Sequence, residues 1–129
     1  MVTARGNSFL RNDTGVLIQW AYPFLQAYPP PDFGSINGNT NDPGRNVFHC
    51  NQMPQSRVGP AWGGAVVLDF TEAPLPVTFL FDGNRWDGDP PSYQFSQNGA
   101  FTNYADIMST NVNTMVSAKN PLPSNEPCP

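Results

Sequence analysis

Apolar residues along this chain fall in short runs rather than long stripes, and their spacing predicts strands. Residues 16–20 read Val-Leu-Ile-Gln-Trp behind Gly15, a β-branched and aromatic run bounded by a turn former. Residues 46–50 alternate, with Val47 and His49 on one face and Phe48 and Cys50 on the other. Residues 65–70, Ala-Val-Val-Leu-Asp-Phe, are almost continuously apolar, which suggests burial on both faces. Residues 77–81 follow after Ala73-Pro74-Leu75-Pro76 and read as the return strand of an antiparallel pair. That pair is the expected centre of stability, with Val67, Leu68, Phe79 and Leu80 buried. A further strand is expected at 92–95, with Tyr93 and Phe95 on one face. In the stretch 102–118, Tyr104, Ile107, Met108, Val112, Met115 and Val116 fall at helical spacing, and Asn103 can cap. This predicts one short helix near 103–109. The weak helix formers between Ser109 and Thr114 leave 110–118 open as helix or strand.

Turn formers separate these runs. Residues 34–44 hold Asn37-Gly38 and Pro43-Gly44, and residues 82–91 read Asp-Gly-Asn-Arg-Trp-Asp-Gly-Asp-Pro-Pro. No internal repeat is apparent. The expected organisation is an extended arm over 1–15, a single β-rich domain over 16–118 and a proline-rich tail over 119–129. The expected fold is mostly β: a small antiparallel β-sandwich or barrel with long ordered loops, one short helix and an extended C-terminal tail.

Composition sharpens this picture. Fifteen prolines and fourteen asparagines stand against one lysine, one histidine and two glutamates, so solvated helix surfaces have little to be made from. Aromatic residues make up 12% of the chain, enough to build a core from few positions and too many for a disordered chain. The net charge is −4 and no basic patch can be drawn from six scattered cations, which disfavours nucleic acid as a partner. No apolar run is long enough to cross a bilayer, and residues 1–7 contain no hydrophobic segment of the signal-peptide kind, so cytosolic synthesis is expected. Asn12-Asp13-Thr14 then reads as a chance glycosylation sequon.

Chemistry-bearing residues are few. His49 is the sole imidazole and sits beside Cys50, but strand alternation would point the two apart, so a Cys–His pair is not expected. No Gly-x-Ser-x-Gly elbow and no phosphate-cradling glycine loop occurs. Zinc is set aside because one histidine and two distant cysteines match no ligand spacing. Calcium has a better case: Asp82, Asn84, Asp87 and Asp89 place four hard oxygens in one loop, although an Asx-rich turn whose side chains bond their own backbone is the preferred explanation. Paired carboxylates for glycoside hydrolysis could be drawn from Asp69, Glu72, Asp82, Asp87 and Asp89, but almost any chain offers as many acids. Cys50 and Cys128 are either free thiols or a disulfide, which would close a loop of about 80 residues and contribute roughly 4 kcal/mol. Trp20 reads as core. Trp62 and Trp86 lie in polar, glycine-containing loops and can plug the domain, anchor a protein partner or stack on a sugar. Pro121, Pro123 and Pro127 mark the tail as a second partner-binding segment.

These features point to a non-enzymatic structural or assembly protein that packs onto other subunits, for example a virion component such as a capsid decoration or cement protein. The alternative is a carbohydrate-binding module that uses Trp62 or Trp86 with the loop aspartates.

Overall fold

The apolar runs do form strands, but they pair in parallel. A computed structural model of the chain describes residues 3–12, 14–19, 30–37, 40–51, 64–69, 77–96, 105–110, 114–126 and 128. Ten strands lie within them: β1 Ser8–Leu10, β2 Val16–Gln19, β3 Ser35–Asn37, β4 Thr40–Asp42, β5 Val47–His49, β6 Gly64–Asp69, β7 Val77–Leu80, β8 Tyr93–Phe95, β9 Ala105–Ser109 and β10 Thr114–Ser117. One sheet has the order β2-β6-β9-β8; β1 pairs with β5 and β10 with β7, all in parallel. Among the described residues, only the β3–β4 pair is antiparallel.

The registers describe a chain wound in stacked coils, the arrangement of a short parallel β-helix. Ser8 lies beside Val47, Val47 beside Arg85 and Arg85 beside Leu122, so each circuit returns the chain one strand spacing further along. This corrects the antiparallel sandwich or barrel. Residues 65–70 and 77–81 are not partners: β6 sits between β2 and β9, and β7 belongs to a different sheet. The continuous apolar character of β6 was the truer signal, because strands of parallel sheets are covered on both faces. Val66 and Leu68 face the main core with Ile18 and Ile107, while Val67 packs with Met108 and Ala105. Val67, Leu68 and Phe79 are buried and Leu80 is half-buried.

The helix expected near 103–109 is absent from its described part, where Ala105–Ser109 is a fully buried strand. Apolar residues at 107 and 108 satisfy helical spacing, yet they equally suit a strand covered on both faces. Residues 114–117 are likewise a strand.

A repeat that the bare sequence hides holds the coils together. Asn7-Ser8-Phe9, Asn46-Val47-Phe48 and Asn84-Arg85-Trp86 occupy equivalent positions, 39 and 38 residues apart. Before each asparagine the chain turns a corner through a left-handed residue: Gly6, Arg45 and Gly83, with Asn120 in the same place on the last coil (φ 65°, 53°, 68° and 47°). The asparagines stack as a ladder. Asn84 Oδ1 accepts from Asn46 N and Nδ2, and Asn46 Oδ1 accepts from Asn7 N and Nδ2. Beside this ladder the rings of Phe9, Phe48 and Trp86 stack with centroids 5.0 and 4.5 Å apart. Gly44 must be glycine, since a Cβ there would overlap the Phe33 carbonyl and Asn84 Oδ1.

The segments read as arm and tail are parts of this winding. Ala4 N donates to Asp32 O and Gly6 N to Gly44 O. In the tail, Leu122 N donates to Asn84 O and Asn125 N to Trp86 O. Contacts within the chain therefore hold both segments.

Arg5 fixes the first coil to the hairpin: its Nη2 donates to Asp42 Oδ2 at 2.6 Å and lies 3.2 Å from Asp32 Oδ1. This hydrogen bond from Arg5 holds the Asp42 carboxyl below its ordinary value. A depressed carboxylate stabilises the fold above its unfolded pKa, and the contribution is lost as pH falls through the folded value. Arg5→Met should therefore be less stable than wild type near neutrality, and the difference should shrink in acid, below about pH 4. Urea midpoints across pH 2–7 check this, with a small effect expected because Asp42 is exposed.

Candidate functional site: a cysteine, histidine and aspartate cluster

The coil register brings together four side chains from distant parts of the chain. His49 ends β5, and its equivalent on the next coil is Asp87, two residues after the Val47↔Arg85 bridge. Both therefore point outward from the same corner. His49 Nδ1–H donates to Asp87 Oδ1 at 2.8 Å. Cys50 follows at a left-handed corner, φ 54°, as does Arg11 on the coil before it, φ 55°. That conformation breaks the strand alternation. It swings the Cys50 side chain back toward its neighbour, with Sγ 3.3 Å from the His49 ring nitrogens. The expectation that the two would point apart fails for this reason.

Asp87 is the hub. Its Oδ2 accepts from Cys50 N at 2.9 Å, and its Oδ1 also accepts from Asn125 Nδ2 at 3.1 Å. Cys128 Sγ lies 3.8 Å from Asp87 Oδ2. Cys50 and Cys128 are joined by a disulfide with Cα atoms 5.5 Å apart, a bridge that ties the tail to the second coil. All four residues are half-buried. The loop carrying Asp87 is held in turn by buried Asp106, whose Oδ2 accepts from Ser92 N and Oγ and whose Oδ1 accepts from Asp87 N. Asn125 and Asp106 carried no signal in the sequence, because each acts through neighbours set by the winding. The triplicate Asn-x-aromatic pattern would have aligned His49 with Asp87.

The other candidate residues disperse. Asp82 is buried, its Oδ1 accepting from Ser117 Oγ and Lys119 N and its Oδ2 from Ile36 N. Asn84 is occupied by the ladder and Asp89 is exposed. The four oxygens proposed for calcium thus serve different partners, and only Asp87 joins the cluster. Trp86 is fully buried between Phe48 and Phe81, so it offers no surface to a sugar or a protein. A polar flank in the sequence misled there, since the ring points inward while Arg85 and Asp87 point out. Trp20, Trp62 and Pro127 lie outside the described residues. Pro121 is half-buried and Pro123 exposed on the last coil. Near that end an open groove of about 300 Å³ is lined by Pro90, Pro91, Tyr93, Ile107, Thr114, Val116 and Ala118, with no acid or histidine among them.

As a disulfide, the cluster staples coils and presents no thiolate nucleophile. Comparison with known protein families, curated proteins and solved structures produced no match.

Proposed function

We propose that this chain is a non-enzymatic structural subunit of a larger protein assembly, a virion shell being one such setting, and that it associates through its open first coil. The edge left open along the first coil carries this reading. The last coil runs through Pro121 and Pro123, which have no N–H to offer a further strand. At the other end, Val47 N donates to Asn7 O and Arg11 N donates to His49 O. Alternation along β1 then turns the N–H and C=O groups of Ser8 and Leu10 away from β5. Among the described residues, no strand pairs with that edge or with the outer edge of β2. Leu10 and Leu17, beside it, are each 48% exposed. An unpaired edge flanked by exposed leucines is a template for another strand.

The partner that fits is a second copy using the same edge across a two-fold axis, because the prolines disfavour head-to-tail stacking.

Size-exclusion chromatography with light scattering should find a dimer or a multiple of it. Leu10→Pro removes one outward N–H and leaves the bonds to β5 in place. It should yield a monomer with an unchanged circular dichroism spectrum. Wild-type protein that stays monomeric at high concentration would end this reading.

A further inference from the structure

We propose that His49, Cys50, Asp87 and Cys128 form a four-ligand Zn²⁺ site in the chain whose Cys50–Cys128 bridge has been reduced. The ligand atoms of these residues all lie within 4.8 Å of one another. Zinc bonds of about 2.3 Å to sulfur and about 2.0–2.2 Å to nitrogen and oxygen put the corners of a tetrahedron about 3.3–3.8 Å apart, so small adjustments suffice. Two thiolates, one imidazole and one carboxylate are a donor set typical of zinc.

Spacing along the chain does not exclude zinc here, because the ligands come from successive coils rather than one local motif. The left-handed Cys50 allows adjacent residues to serve the same ion. Outer partners are already in position: Cys50 N and Asn125 Nδ2 donate to the Asp87 carboxylate, orienting it and offsetting the negative charge of two thiolates and one carboxylate around a divalent ion. The half-buried placement leaves the site reachable from solvent.

The redox step balances simply. A dithiol reductant gives two electrons and two protons to the bridge, becoming a disulfide while Cys50 and Cys128 become thiols. Zn²⁺ then displaces the two thiol protons and takes the neutral ring nitrogen and the carboxylate. The same corner would be stapled by sulfur–sulfur bonding under oxidising conditions and by zinc under reducing ones.

Cobalt titration of the full chain tests this. Protein reduced anaerobically with a phosphine, which takes up the oxygen of one water to become the phosphine oxide, should bind one Co²⁺ per chain. Thiolate-to-cobalt charge-transfer bands and the intense visible bands of a tetrahedral ion should appear, and one equivalent of Zn²⁺ should bleach them. The oxidised chain should show neither. Zn²⁺ should raise the melting temperature of the reduced chain and leave that of the oxidised chain unchanged. Cys128→Ser and Asp87→Asn should each weaken cobalt binding about tenfold or more. The proposal is overturned if the reduced chain gives no charge-transfer band, if the band survives at full strength in Cys128→Ser, or if reduction unfolds the chain and neither metal restores it. The comparison of oxidised and reduced wild type needs no variant to fold.

Discussion

Asn84→Leu should destabilise the protein by about 3–5 kcal/mol, as much as removing a large core side chain. Asn84 is fully buried and its amide is fully used. Its Oδ1 accepts from Asn46 N and Nδ2, both at 2.9 Å, and its Nδ2 donates to Phe33 O at 3.0 Å and Phe81 O at 2.7 Å. Leucine has a similar volume, so little cavity opens. The loss comes from leaving buried backbone groups, Asn46 N–H and Phe81 C=O, without these partners, at about 1–3 kcal/mol each. Asn84→Asp separates this cause from packing. It keeps the acceptor but turns a carboxylate toward two carbonyls, so its deficit should ease in acid, whereas that of the leucine variant should not. Asn7→Ala, at the exposed end of the same ladder, should cost under about 1 kcal/mol. Urea midpoints at constant slope give all three values. A loss below about 1 kcal/mol for Asn84→Leu would mean that the ladder does not hold the coils.

Trp86→Ala should cost about 3–5 kcal/mol. The ring is fully buried, stacked on Phe48 at 4.5 Å and met edge-on by Phe81 at 5.8 Å. Truncation removes the widest member of the Phe9–Phe48–Trp86 stack from the last full coil, where few layers remain to close the gap. Trp86→Phe should recover most of the loss. Phenylalanine already fills the two equivalent positions, and the indole Nε1 has no hydrogen-bond partner among the described residues. Guanidinium unfolding followed by circular dichroism measures both. If Trp86→Ala unfolds like wild type, the ring does not belong to the core.

The sequence by itself determined that this chain is built of strands, where half of those described lie, and how some side chains face. β-branched and aromatic runs bounded by glycine, proline and asparagine leave little else available, and β2, β5, β6, β7 and β8 fall on the expected runs. Burial of both faces of β6 was legible because an unbroken apolar run has no solvent face to show. Pairing was not legible. Whether β6 meets β7 or β2 and β9 depends on residues about 40 or 50 positions away, and local pattern carries no information on such distances. The helix expected at 103–109 failed for a related reason: a strand covered on both faces has no period of its own to set against the helical one. The cluster of His49, Cys50, Asp87 and Cys128 belongs wholly to the tertiary structure. Coil register stacks His49 over Asp87, a left-handed corner returns Cys50 to the face of His49, and the tail brings in Cys128. A winding that returns every 37 to 39 residues at the Asn7, Asn46 and Asn84 corner and its continuation to Leu122 made neighbours of residues that are remote along the chain.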